Sequence, residues 1–352
     1  MKTIGFTGTA KNTGKTTTAL AVIKHAHSAG LRIALTSIGF DSENRDNVTG
    51  LSKPRYALEE GDMVATAQEC LTAGTATLEG LETTDIETIL GKVVIARVTA
   101  AGTVLVAGAN REKDLSFLIS RFADYQIDLL LVDGALNRLV PMVACDGLVL
   151  ATGASFDQDI HKIADHAGTL VHLFTPSITQ TALASDQFTT LIFDDQSSVQ
   201  LTNGSMLSSR TMEEILAKIT KPLASLEIPG ACHPMLMKTL IEKNPFSDKP
   251  INLIFGNPLK LIASGGLNLW DELMHQPLIT VHYRHNLPVN ILTVNPFYPK
   301  LKPSTGMYQA AYVDKYFLLR TVRIALPDFP VYDLFQPPQP DLLRLLGAAK
   351  GE

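Results

Sequence analysis

Cysteine and runs of basic residues are both scarce in this sequence. Only three cysteines occur in 352 residues, at Cys70, Cys145 and Cys232, and they make no metal-type spacing. They therefore predict small, buried apolar side chains in a reducing compartment. The 30 basic and 35 acidic residues give a formal net charge of −5, and no long basic run occurs. This balance argues against sequence-independent binding of nucleic acid.

Long apolar runs are absent as well. No stretch approaches the roughly 20 apolar residues that span a bilayer, and the first residues form a strand pattern rather than a signal peptide. We therefore expect a cytoplasmic protein with no membrane partner. The chain is 45% hydrophobic and 18% charged, which suits sizeable packed cores. Its length predicts two domains, with three as the alternative.

The most specific motif lies near the start of the chain. An apolar strand over residues 2–8 leads into a glycine- and threonine-rich turn, and a helical pattern follows over 16–28. The turn and the first helical residues are Gly8, Thr9, Ala10, Lys11, Asn12, Thr13, Gly14, Lys15, Thr16 and Thr17. Such a turn points backbone N–H groups at phosphate oxygens, and the helix adds the positive end of its dipole. We therefore expect a nucleotide-binding phosphate loop.

Individual side chains of this loop have expected roles. Lys15 is placed to reach the β- and γ-phosphates, and the hydroxyl of Thr16 is placed to bind Mg²⁺. Lys11 is a further candidate for phosphate contact, from its own subunit or from a partner subunit. The strict pattern has a glycine at the position of Thr9, whereas this chain has it one residue earlier, at Gly8. The sequence therefore predicts a variant of the loop.

The pattern of short apolar runs predicts a doubly wound, mainly parallel α/β sheet. Strands are expected at 2–8, 32–37, 127–133 and 147–152, and helices at 16–28, 112–124 and 157–168. Shorter features are expected as helices at 63–73 and 85–90 and as an inserted hairpin of 92–97 with 103–107. We expect a nucleotide-binding domain over 1–200 and a second, closely packed α/β domain over 201–352, for a partner or a substrate.

Asp133 is the first acidic candidate for the metal site. It ends the apolar run 127–133, so we expect it at the carboxyl edge of a buried parallel strand. There it can bind Mg²⁺ directly or through water, or it can simply cap the strand end. Together with Lys15 it is a predicted catalytic residue.

Asp41 is the second acidic candidate, for both catalysis and metal binding. It lies in the polar, aperiodic segment 38–60 after the second strand, where Glu43 and Asp46 compete with it for the role. We expect this segment to respond to the γ-phosphate of a bound nucleotide.

Histidine and asparagine pairs carry weaker signals. The histidine pairs are His282 with His285 and His161 with His166. The first pair has a metal-like spacing but no nearby cysteine, and members of the second stand five apart and do not share a helix face. We expect partly buried or surface histidines. Asn257 and Asn295 each precede a proline at the end of a strand, which favours a turn over recognition of an adenine edge.

Two separated motifs resemble the dethiobiotin synthetase family. The first is the loop from Gly8 to Thr16, and the second reads Val132-Asp133-Gly134-Ala135-Leu136-Asn137-Arg138-Leu139-Val140-Pro141. The resemblance covers roughly residues 1–155. It implies the MinD-like (SIMIBI) class of P-loop ATPases, which bind ATP with Mg²⁺ and are often homodimers with the nucleotide near the interface. The absence of an Asn-Lys-x-Asp guanine motif also favours ATP over GTP.

The chain departs from this family where the family binds its small substrate. Where the family has a Lys-Pro pair after its second strand, this chain reads Ser37-Ile38-Gly39-Phe40-Asp41, and a Gly-Gly pair of the family is replaced by Leu136-Asn137. The second half resembles an extension in uncharacterised ATPases that accompany cobalamin-dependent aminomutases. We therefore expect an ATPase that acts on a protein partner, in a chaperone or reactivation role. A ligase or kinase that transfers the γ-phosphoryl group to a small acceptor is the alternative, and a nucleotide-dependent regulator with negligible turnover is a third.

Overall fold

The computed structural model describes residues 1–40, 55–134, 139–175, 187–337 and 340–349. Its strands are β1 (Lys2–Gly8), β2 (Ile33–Ser37), β3 (Tyr56–Leu58), β4 (Met63–Ala67), β5 (Thr77–Thr88), β6 (Gly91–Ala100), β7 (Gly102–Val104), β8 (Leu129–Asp133), β9 (Gly147–Gly153), β10 (Thr190–Phe193), β11 (Ser198–Gln200), β12 (Leu223–Ile228), β13 (Ile251–Phe255), β14 (Ile279–Tyr283), β15 (Val289–Asn295), β16 (Phe297–Lys302), β17 (Met307–Tyr312) and β18 (Val331–Tyr332). Its helices are α1 (Lys15–Ser28), α2 (Glu112–Asp124), α3 (Ile160–Phe174), α4 (Ser209–Lys218), α5 (Pro234–Lys243), α6 (Pro258–Ala263), α7 (Leu267–Met274), α8 (Lys315–Ala325) and α9 (Leu342–Leu345). None of the helices in these ranges has the length and apolar character needed to cross a membrane.

Two compact units divide the chain. The first combines Met1–Gly168 with Val289–Glu352, and the second is Thr169–Pro288. The division differs from the one expected from the sequence, because the residues after 288 return to the first unit. The second unit is therefore an insertion in the first.

Nine strands of the first unit form one sheet, in the order β18-β15-β9-β1-β8-β2-β4-β6-β5. All neighbours from β18 to β4 run parallel. The central strand β1 is buried at every position after Lys2, and β8 is buried throughout. Short continuous apolar runs of this kind are typical of parallel strands that are covered on both faces. The mixed α/β fold with a large, mainly parallel sheet is thereby confirmed.

The antiparallel edge of this sheet differs from the predicted hairpin. β6 pairs with β4 and β5, whereas β7 pairs with β3. The predicted pairing of 92–97 with 103–107 is therefore wrong, and so are the helices predicted at 63–73 and 85–90. β4 is buried along its whole length, and such a run has no period that distinguishes a strand from a buried helix. Residues 85–90 complete β5 and begin the turn into β6.

The second unit builds a smaller sheet, in the order β11-β10-β12-β13-β14. β12, β13 and β14 are parallel, and β10 runs antiparallel to β12. Its core contains Leu173, Phe255, Trp270 and Tyr283. The Trp270 and Phe255 rings meet edge to face, with their centroids 5.4 Å apart. This unit therefore has a mixed α/β core of its own.

Several parallel strands of the nine-stranded sheet end at the same edge. Their last residues are Gly8, Ser37, Asp133, Gly153 and Asn295. In open α/β sheets, ligands bind in the crevice outside the carboxyl ends of the strands. The candidate phosphate loop begins at this edge.

Candidate functional site

The loop between β1 and α1 is compact because of its glycines. The hydroxyl of Thr13 donates to the carbonyl of Ala10 at 2.9 Å, which closes the loop on itself. A Cβ on Gly8 would lie 2.5 Å from Oγ1 of Thr13, so this position has no room for a side chain. Asn12 and Gly14 both have positive φ, at 64° and 98°. The closed turn explains why residue 8 is a glycine.

The N-terminus of α1 is open to an anion. Gly14 is the N-cap, with no side-chain capping hydrogen bond, and the first turn contains no acidic residue. The first N–H groups of a helix have no partners within the helix, and they carry the positive end of the dipole. Lys15, Thr16 and Thr17 stand in this first turn and are half-buried. The start of α1 therefore suits a phosphate group.

The Lys15 ammonium lies against the Asp133 carboxylate. Nζ is 2.8 Å from Oδ1, and the two side chains are 17% and 10% exposed. The contact is an ion pair by distance, although Oδ1 is buried and accepts no well-angled hydrogen bond from the described residues. Asp133 is in register with Phe6 of β1 and Ser37 of β2. Two of the three predicted catalytic residues thus meet at the carboxyl edge of the sheet.

β15 supplies a brace for the loop that the sequence did not predict. Nδ2 of Asn295 donates to the carbonyl of Asn12 at 3.2 Å, and Oδ1 accepts the backbone N–H of Phe297 at 3.1 Å. A Cβ on Gly14 would lie 3.3 Å from Asn295 Nδ2. The turn expected at Asn295 is therefore present, and the same side chain also supports the loop. The Asn-Pro pair after an apolar strand was its signal, but nothing local indicated its partner.

Threonines tie the loop and α1 to the neighbouring strands. Oγ1 of Thr18 lies 2.9 Å from Oγ1 of Thr293 on β15, in a buried contact. The hydroxyl of Thr9 donates to Oγ1 of Thr152 on β9 at 3.0 Å, and the backbone N–H of Thr9 donates to Ala151 at 2.9 Å. The loop is thus held from both β9 and β15.

The end of β2 is occupied by a turn of its own. The hydroxyl of Ser37 donates to the carbonyl of Gly39 at 2.8 Å and accepts the N–H of Gly108 at 3.1 Å. Ser37 and Ile38 are both buried. Lys11 is exposed.

Some predicted residues lie outside the described part of the chain. Asp41 is among them, together with its competitors Glu43 and Asp46. Residues 135–138 of the second motif also lie outside it.

The weaker candidates take structural positions. His166 stacks on Phe156 with ring centroids 4.1 Å apart, and burial lowers the pKa of its imidazole. His161 meets Phe317 edge to face, and Asn257 caps α6 by accepting the N–H of Lys260 at 3.3 Å. The three cysteines are free and buried, as predicted.

No family model, no curated protein and no solved structure matches this chain. The function proposed for it therefore depends on the loop, the lysine and the carboxylate described above.

Proposed function

We propose that this protein is a Mg²⁺-dependent P-loop ATPase whose nucleotide cycle acts on a partner protein. The observation that carries the proposal is the contact of Lys15 with Asp133, 2.8 Å apart, directly after a glycine loop at the carboxyl edge of a parallel sheet. A lysine at the start of a helix after such a loop is the phosphate-binding arrangement of P-loop proteins. The proposal includes the doubly wound arrangement of that class.

The chemistry of the loop suits the phosphates of ATP. Gly8 has no room for a side chain and Gly14 has a positive φ, so both positions keep the turn free of bulky side chains. The uncapped N-terminus of α1, without an acidic residue in its first turn, would face phosphate oxygens without repelling them. Lys15, Thr16 and Thr17 would complete the phosphate-binding set.

The proposed Mg²⁺ ligands are all oxygen atoms. The hydroxyl of Thr16 and the carboxylate of Asp133 are ligand types that Mg²⁺ prefers, and Asp41 stays a third predicted ligand. When bound, Mg²⁺ neutralises charge on the β- and γ-phosphates. Lys15 would exchange Asp133 for phosphate oxygens, which leaves the carboxylate to hold the metal.

A protein partner is supported by exposed apolar side chains on the first unit. The β16–β17 hairpin exposes Leu301, Met307 and Tyr312, and α8 exposes Tyr316, Phe317 and Ile324. Contiguous exposed apolar patches mark interaction surfaces, and all six of these side chains lie within residues 301–324 of the sequence. The segment Ser37-Ile38-Gly39-Phe40-Asp41 also contains no cation with which a small anionic substrate would be held. The expected homodimer and the link to a cobalamin-dependent aminomutase follow from the sequence resemblance.

The alternative is a ligase or kinase that transfers the γ-phosphoryl group to a small acceptor. The two motifs shared with the dethiobiotin synthetase family favour it. Hydrolysis of ATP by the purified chain alone, stimulated by a protein, would favour the ATPase. Turnover only in the presence of a small acceptor would favour the ligase or kinase.

The central test is Lys15→Ala. Loss of the point charge should weaken Mg·ATP binding or abolish turnover, measured by calorimetry and by phosphate release. Lys24→Ala is the matched control, because Lys24 is an exposed lysine on the same helix. Asp133→Asn should retain nucleotide binding without Mg²⁺ and lose Mg²⁺-dependent turnover. The proposal fails if Lys15→Ala binds and hydrolyses ATP like the wild type.

A further inference from the structure

Two histidines and an aspartate of the second unit come together on two helices. His172 lies in the last turn of α3, Asp271 lies in α7, and His275 directly follows α7. One ligand-type atom of each residue lies within 4.8 Å of the others. Nδ1 of His172 is 3.5 Å from Oδ1 of Asp271, and Nδ1 of His275 is 3.8 Å from the same oxygen. Both imidazoles thus converge on one carboxylate oxygen.

The carboxylate oxygen on which both rings converge lacks a hydrogen-bond donor in the described part of the chain. Oδ1 of Asp271 is buried and accepts no hydrogen bond from the described residues, although the side chain as a whole is 31% exposed. A buried carboxylate oxygen without a donor is unfavourable, because desolvation is not compensated. A cation bound between the two rings would satisfy it.

The backbone around the three side chains is anchored in the core. Leu173 and Trp270, each next to one of the three residues, are fully buried in the same apolar cluster. The hydroxyl of Tyr283 donates to the carbonyl of Leu173 at 2.7 Å, which fixes the last turn of α3. Nδ1 of His275 lies 2.7 Å from the carbonyl oxygen of Asp271. In a neutral ring, Nδ1–H donates to that carbonyl and Nε2 keeps its lone pair for a metal.

We propose that His172, Asp271 and His275 bind a single divalent transition-metal ion, with Zn²⁺ as the best fit. Imidazole nitrogens select Zn²⁺, Ni²⁺ or Cu²⁺ over Mg²⁺ and Ca²⁺. Zinc bonds of about 2.0–2.2 Å place the ligand atoms of a tetrahedron about 3.3 Å apart. The 3.5 Å from Nδ1 of His172 to Oδ1 of Asp271 is close to that spacing, and the His275 ring would turn to bring its Nε2 to the metal. Three protein ligands leave the fourth position to water, since both rings are largely exposed.

The test is a titration of the full chain, stripped of metal with a chelator, with ZnCl₂ in the absence of nucleotide. Calorimetry should give one equivalent bound. His172→Ala, His275→Ala and Asp271→Asn should each weaken that binding on the order of tenfold or more. His285→Ala is the control, because His285 is an exposed histidine of the same unit outside the cluster. The affinity of His285→Ala for Zn²⁺ should equal that of the wild type.

Cobalt supplies an independent readout. Co²⁺ in place of zinc should show the intense visible bands of a four-coordinate site, and His172→Ala should lose them. Circular dichroism of the metal-free variants should show that they fold like the wild type. Zinc binding that survives all three substitutions, or that is lost in His285→Ala, would overturn the proposal, and so would a weak six-coordinate cobalt spectrum. Because nucleotide is left out, these results are independent of the proposed ATPase activity.

Discussion

Asn295 offers the sharpest test of how the candidate phosphate loop is held. Its two side-chain hydrogen bonds, to Asn12 at 3.2 Å and from Phe297 at 3.1 Å, join the end of β15 to the loop. A neutral hydrogen bond contributes about 0.5–1.5 kcal/mol net. Asn295→Ala removes both, so we expect the free energy of unfolding to fall by about 1–3 kcal/mol. If about 1 kcal/mol of this is needed to keep the loop in its binding conformation, the Kd for Mg·ADP rises about fivefold.

Asn295→Asp separates the two bonds. The carboxylate still accepts the N–H of Phe297, but it cannot donate to Asn12, and it places a negative charge beside the candidate phosphate site. We therefore expect Asn295→Asp to be more stable than Asn295→Ala. We also expect it to bind nucleotide more weakly than the wild type does. Unfolding in guanidinium chloride and calorimetry with Mg·ADP measure the two quantities.

Asn290→Ala is the matched control for both variants. Asn290 lies near the other end of β15, where its Nδ2 donates to the carbonyl of Leu345 at 3.4 Å. Its loss should lower stability and leave the Kd for nucleotide unchanged. The bracing role is refuted if Asn295→Asp binds Mg·ADP like the wild type, or if Asn290→Ala weakens binding as much.

Two further predictions concern buried polar contacts of the first unit. Thr18→Val should lower the free energy of unfolding by about 1–2 kcal/mol, because it leaves the buried Thr293 hydroxyl without its 2.9 Å partner. In urea unfolding, the Thr18→Val/Thr293→Val double variant should lose less stability than the two single variants together. Additive losses of stability would show that the contact does not form. Burial raises the pKa of the Asp62 carboxyl, despite its contacts with Glu59 and His27. A raised pKa in the folded state means that this group contributes stability at acid pH that is lost as the pH rises through the folded value. Asparagine does not titrate, so the free energy of unfolding of Asp62→Asn should rise relative to that of the wild type as the pH increases from acid values. A difference in unfolding free energy that stays constant with pH would contradict this.

The parallel part of the fold was predictable because its signals are local. The strands expected at 2–8 and 147–152 lie within a residue of β1 and β9. β5 was missed because its glutamates and threonines show no clear alternation, and its conformation depends on pairing with β6.

The candidate site was predictable in part, namely where its residues belong to local sequence patterns. Lys15 follows a glycine loop and Asp133 ends an apolar run, and both patterns are visible in the local sequence. The topology of the parallel strands then brings the two side chains together. The partners of Asn295 and His172 are distant in sequence, 283 residues away in the case of Asn12. No periodicity in a single sequence reports such a contact.

The insertion of the second unit has a consequence for synthesis on the ribosome. Thr18 and Thr293 are separated by 275 residues, so the loop leaves the ribosome long before its brace is translated. At roughly 5–20 residues per second, the interval is about 15–55 s. β9 is complete at Gly153 and β15 begins at Val289, so β9 lacks this neighbour for about 7–27 s of that interval. Its unpaired backbone groups on that side are where a nascent sheet is most prone to pair with another chain. The contacts of β15 with the candidate loop and α1 are therefore made last, although the residues of the loop are among the first to be made.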